Sequence, residues 1–127
     1  MTIDQETALV KHIDADPNWK SSQSGRRKID YGPQVNFKER KIKTKNFKGL
    51  PTYTNESILL RLKNLHPVLN SFEPVEVNIL EYEAGKGSNI DFHFDDFWMW
   101  GERIVGVSLL SHSIMTFRVP ASVEVEV

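Results

Sequence analysis

Apolar side chains change their period at Val75, and that change limits the folds open to this chain. Upstream, Ala8, Leu9 and Ile13 in QETALVKHID recur at helical spacing, predicting a helix near residues 4–14 that ends at DADPN. Ile58, Leu59, Leu62 and Leu65 in ESILLRLKNL repeat the pattern, with Asn55 or Thr54 as a cap and Pro67 as a stop. Downstream the period is two. VEVNILEY alternates up to a turn at EAGKGS, and NIDFHFD alternates strictly. RIVGVSLLS and SIMTFRV read as further strands, and ASVEVEV alternates to the last residue. Helices followed by strands predict an α+β domain. Between the two regimes, SSQSGRRK reads as a polar loop and IDYGPQVNF as extended with a turn at Gly32-Pro33. KERKIKTKNFKGLP reads as loop or edge strand. A final strand without a partner leaves an open edge, which predicts an incomplete domain unless it pairs back on VEVNILEY.

A chain of 127 residues has room for one hydrophobic core. No apolar run approaches the ~20 residues that cross a bilayer, and MTIDQETALV lacks the basic-then-apolar pattern of a secretory signal. With no cysteine there is no disulfide and no thiolate metal site, so an intracellular location, cytoplasm or nucleus, is the default expectation. The net charge of −1 conceals an asymmetry: residues 20–48 hold ten of the 16 basic side chains against Asp30 and Glu39 alone. Such a segment is either a solvated loop or a docking face for an anionic partner, nucleic acid or an acidic protein surface.

The stretch DFHFDDFWMWGE carries the chemistry. On a strand, His93 and Asp95 project from one face with alpha carbons ~6.5–7 Å apart, so their side chains can converge on one ion. An imidazole and a carboxylate are two-thirds of the facial triad that holds non-haem Fe(II) with positions left open. Asp96 points the other way on a regular strand. Asp91 shares the face and is a candidate acceptor for the His93 ring. Alone, this spacing is common and far more often structural than metal-binding, just as Phe97, Trp98 and Trp100 are more often packing than a substrate cage.

NILEYEAGKGSNIDFHFDDFWMWGERIVGVSLLS resembles the centre of the AlkB-type Fe(II)/2-oxoglutarate-dependent dioxygenases, closest to the subgroup called AlkB homologue four. WKSSQSGRRKIDYGPQVNFKERKIKT is similar to the basic segment that precedes the catalytic core in that subgroup. The resemblance covers nearly the whole chain. It implies N-terminal helices followed by part of a double-stranded β-helix, or jelly roll, over 75–127, with C-terminal strands missing. It implies Fe(II) held by His93 and Asp95, and 2-oxoglutarate contacted by Tyr82 and, less closely in position, by Asn78. Arg26, Arg27, Lys28, Tyr31, Asp96, Trp98 and Trp100 then face the substrate. The implied reaction is oxidative removal of an N-methyl group from a nucleic-acid base or a methylated lysine.

The pattern departs from the family in three places. A second histidine ligand belongs some tens of residues after the aspartate, and His112 follows Asp95 by only 17 positions. Arg118 does not match the arginine expected to pair with the distal carboxylate of 2-oxoglutarate. The cysteine-containing N-terminal segment of the subgroup is not matched. These departures predict that the 127 residues alone turn over little or nothing. Two other outcomes compete: a non-catalytic segment whose basic stretch binds nucleic acid or protein, and an α+β domain whose His-x-Asp is structural.

Overall fold

The fold is described from a computed structural model, which covers residues 1–101 and 103–119, with Phe97 by its backbone alone. Helix α1, Ile3–Asp14, starts where the sequence supplies both halves of a capping box. The Thr2 hydroxyl accepts from the Gln5 N–H at 3.3 Å, and the Gln5 side chain accepts from the Thr2 N–H at 2.9 Å. Asp4 and Glu6 lie in its first turn and Lys11 and His12 in its last, each complementing the helix dipole. One face of α1 contributes Leu9 and Ile13 to the core.

Strands β1 (Lys20–Ser21), β2 (Arg27–Tyr31) and β5 (Val77–Glu81) form an antiparallel sheet in the order β1-β2-β5. The segment read as a polar loop closes as a tight hairpin instead. Ser24 and Gly25 both take positive φ, +54° and +69°, and Arg26 N–H donates to Gln23 at 3.3 Å, the geometry of a two-residue turn with primed twist. Ile29, at the middle of β2, is fully buried opposite Ile79 of β5. Burying Leu9 and Ile29 contributes about 1.5–3 kcal/mol each. Helix and sheet are tied at their ends: the Trp19 indole donates to the Ile13 carbonyl at 3.0 Å, and the Tyr31 hydroxyl donates to Asp16.

A second, two-stranded sheet pairs β3 (Gln34–Asn36) with β4 (Lys41–Lys43), so the basic segment is partly strand. Its four-residue turn closes with Asn36 Oδ1 accepting from the Glu39 N–H and Arg40 at φ +48°. The second helix begins earlier than the caps suggested. A π-helical stretch, Thr54–Leu59, runs into α2, Leu60–Lys63, and Thr54 lies inside it, 3% exposed. Pro67 does stop this region: His66 ahead of it is extended, at φ −156° and ψ 141°. No described helix is long and apolar enough to cross a membrane.

Three expected strands are absent among the described residues. NIDFHFD, RIVGVSLLS and SIMTFRV carry no ladder, and FWMW, Phe97–Trp100, forms a short helix, α3. Alternation fixes which way side chains face, whereas a strand exists only beside a hydrogen-bonded neighbour. No described segment pairs with these stretches, so their apolar side chains stay in solvent: Phe94 is 87% exposed and Ile114 95%. The strand expected at 121–127 lies outside the described residues. Helices with antiparallel sheets make the described chain α+β.

Candidate metal-binding cleft

The segment that carries His93 leaves β5 at Glu81, passes a turn at 84–86 and swings at Gly87, whose φ of +61° suits glycine. It is then moored at successive points. The Ser88 hydroxyl donates to the Gly25 carbonyl at 2.9 Å, fixing the segment to the β1–β2 turn. Trp100 Nε1 donates to Glu76 Oε2 at 2.7 Å, and its ring lies 6.0 Å from Phe37 at the tip of the β3–β4 hairpin. Arg103 donates to the Val68 and Ser71 carbonyls at 2.8 and 3.1 Å and to the Ser71 hydroxyl at 3.1 Å. The Leu110 N–H reaches Glu6 of α1 at 2.6 Å. Polar contacts, rather than a ladder, hold the stretch in place.

Between these anchors His93 Nε2 comes within 3.5 Å of Asp95 Oδ1. His93 Nδ1 sits 2.7 Å from the Asp91 carbonyl oxygen, which accepts only if Nδ1 carries the proton. The expected Asp91 partner is therefore its backbone, not its carboxylate. That tautomer leaves the Nε2 lone pair toward Asp95, the second-sphere arrangement of metal-binding imidazoles. With bonds near 2.1 Å, two cis donors of an octahedral ion lie about 3.0 Å apart, so the pair needs to close by only about half an ångström. Both side chains are half exposed and free to make that adjustment. The donor set fits two positions of a divalent ion; no group of three candidate ligands occurs among the described residues. Without an ion, the same contact is an ordinary exposed pair when the imidazole is protonated.

The pair lines an open cleft of about 580 Å³ whose walls include Phe92, Trp100, Ile104, Phe117 and Arg118. Asp96 lines it too, although strict alternation had pointed it away, because the chain turns into α3 directly after it. Trp98 is half-buried on α3 and is not part of the lining. Tyr82 and Asn78 share one face of the β5 edge, outside the lining. Tyr82 lies under the Arg26 guanidinium at 5.8 Å, and Asn78 donates to Glu76 at 2.6 Å. Of the other expected substrate contacts, Arg26 is 8% exposed and donates to the Gln23 carbonyl. Arg27 forks onto Glu81 and stacks on Trp19, and Lys28 pairs with Asp30 at 3.0 Å. Tyr31 is held by Asp16 and by Asn18 at 3.3 Å.

The electrostatics of these pairs are structural. The Arg27 hydrogen bond holds the Glu81 carboxyl below its ordinary value and raises the guanidinium in return. Burial pushes Asp16 up, but hydrogen bonds from Tyr31 and Asn18 outweigh it and leave that carboxyl lowered. Burial, with the neighbouring Tyr31 and Asp16, pushes the Tyr53 hydroxyl far up. The exposed cations lie elsewhere. Lys38, Arg40, Lys43, Lys45 and Lys48, on and after the β3–β4 hairpin, make no ion pair among the described residues. The Phe37–Trp100 contact sets that hairpin beside the cleft. The charge run signalled a basic face but not which of its members were already paired.

No protein-family model matches the chain. It is 49% identical over 116 residues to the human alpha-ketoglutarate-dependent dioxygenase alkB homolog 4, a match covering 91% of this chain and 37% of the relative. The mouse alkB homolog 4 is 45% identical over 116 residues, 91% of this chain and 38% of the relative. A Caenorhabditis elegans protein named DNA N6-methyl adenine demethylase is 44% identical over 114 residues, 88% of this chain and 38% of the relative. Over about nine tenths of its length the chain is thus similar to proteins named alpha-ketoglutarate-dependent dioxygenase alkB homolog 4, the subgroup its two motifs resemble, and it spans a little over a third of these relatives' length.

Proposed function

We propose that the cleft is the metal-bearing half of an oxidative N-demethylase site that uses Fe(II) and 2-oxoglutarate. The observation that carries this is the convergence of His93 Nε2 on Asp95 Oδ1 with His93 Nδ1 turned to the Asp91 carbonyl. Iron bound there would supply the coordination and oxidising power for removing an N-methyl group. The chain's own residues do the rest. Asp91 fixes the imidazole tautomer, Trp100 is locked by Glu76 as one wall, and Phe92 and Phe117 keep that wall apolar. Tyr82 and Asn78 on the β5 edge are the proposed 2-oxoglutarate contacts. In this reading the stretches 89–96 and 103–119 are jelly-roll strands, which form ladders when further strands lie beside them.

The basic hairpin beside the cleft favours an anionic substrate, methylated nucleic acid ahead of methylated protein. The same hairpin supports a second reading, a binding segment that does no chemistry. Titration with Mn(II), a redox-quiet stand-in for Fe(II), separates the two. We expect one weakly bound equivalent on the 127-residue chain, lost on His93→Ala and on Asp95→Ala. Binding that survives both substitutions removes the proposed site. Two protein ligands hold a metal poorly, so we expect no succinate above background from this chain with Fe(II), 2-oxoglutarate and oxygen. Clear turnover would show that the third ligand is already present.

A further inference from the structure

We propose that Glu76 is a positioning residue of this cleft: its one carboxylate fastens the Trp100 wall and the Asn78 amide together, so that neither shifts without the other. Alternation in VEVNILEY sets Glu76 apart from no other residue of its face. In the structure its two oxygens serve different parts of the fold. Oε2 accepts from Trp100 Nε1 at 2.7 Å and Oε1 from Asn78 Nδ2 at 2.6 Å. Trp100 lines the cleft beside His93 and Asp95, while Asn78 sits in β5 opposite Asp30 of β2. The stem of Glu76 is confined as well. A Cβ on Gly32 would stand 2.8 Å from Glu76 Cγ, so the glycine just past β2 is what admits it. A half-buried carboxylate is thus held at its stem and at both oxygens. An ionised carboxylate only accepts, so Asn78 turns its nitrogen to Glu76 and commits one of its two N–H groups. A ligand at the β5 edge then meets the other N–H and the amide oxygen. Because both donors draw on one negative charge, a change at either bond reaches the other. One group therefore sets both the wall of the cleft and the proposed 2-oxoglutarate contact.

The use of this link by 2-oxoglutarate rests on the oxygenase reading; the link itself does not. The test follows the indole and side-chain amide N–H signals of the isotopically labelled chain by NMR. Trp100→Phe and Asn78→Ala assign the two signals by deleting them. We expect Asn78→Ala to move the Trp100 indole signal and Trp100→Phe to move the Asn78 amide pair. The Trp19 indole, bonded to the Ile13 carbonyl at the end of α1, should stay in place and report an intact fold. Glu76→Gln offers one acceptor oxygen instead of two, so both cross-effects should vanish when it is combined with either variant. 2-Oxoglutarate is then added with Zn(II), a diamagnetic stand-in for the iron. In wild type it should move both signals together, and in Glu76→Gln it should bind roughly tenfold more weakly. Cross-effects with no response to 2-oxoglutarate support the link and count against the oxygenase reading alone. Cross-effects missing from the single variants or persisting with Glu76→Gln, or a 2-oxoglutarate response confined to one signal, overturn the proposal.

Discussion

Replacing Trp100 with phenylalanine tests whether the cleft wall is held by a single charge-assisted hydrogen bond. The indole N–H donates to Glu76 Oε2 at 2.7 Å, a partly buried contact, while the ring rests on Phe37. A hydrogen bond to a charged group contributes ~1.5–3 kcal/mol, and partial exposure of Glu76 brings that to about 1–2 kcal/mol here. Phenylalanine keeps most of the ring contact and loses the donor. Glu76→Ala removes the acceptor but also the 2.6 Å bond from Asn78, so neither single variant isolates the term. A double-mutant cycle does. Urea unfolding of both singles and the double should give a coupling of about 1–2 kcal/mol. Gly32→Ala presses on the same bond from the other side, since its Cβ would stand 2.8 Å from Glu76 Cγ, and it should reproduce much of the Trp100→Phe loss. Losses that add to within ~0.3–0.5 kcal/mol would refute the reasoning, because independent sites behave that way.

Two further outcomes follow from the charge pairs. Glu81 and Asp16 both have lowered folded-state values, so their contribution is full above the ordinary values of 4.5 and 3.8 and is lost as pH falls through the lower folded ones. Thermal unfolding followed from pH 6 to pH 3 should therefore show stability falling below about pH 4.5, and Arg27→Gln should flatten part of that slope; an unchanged slope in the variant argues against the pairing. Fluorescence anisotropy with labelled single-stranded DNA tests the hairpin: Lys38, Lys43 and Lys45 changed together to alanine should lower the salt slope of binding by about two, at ~0.7 per phosphate contact, whereas the ion-paired Lys28 should matter less. Equal slopes for wild type and the triple variant would leave the hairpin a merely solvated face.

The sequence made local features legible and distant ones opaque. Helix α1 was readable because Ala8, Leu9 and Ile13 recur at helical spacing, whereas its capping box, Thr2 with Gln5, was a local signal that the spacing argument passed over. Strand β5 was readable from alternation, and it had β2 beside it. Alternation over 89–95 brought His93 and Asp95 to one side but said nothing of a ladder, since a ladder needs a second segment. The pairing of Arg27 with Glu81 spans 54 positions, and no local pattern announces it. Arg118 lines the same cleft as Asp95 from 23 positions away, which no local pattern announces either. The tight β1–β2 turn, by contrast, had a local signal in Ser24-Gly25 that a polar-loop reading passed over.

The proposed function requires His93 and Asp95 to hold one divalent ion together. Electron spin echo modulation of the Mn(II)-loaded chain reports directly on nitrogen bound to the metal. A single histidine-type coupling is expected in wild type, absent in His93→Ala, with Asp95→Ala failing to load the ion at comparable concentration. Bound manganese that shows no nitrogen coupling, or a coupling that persists without His93, would contradict the account.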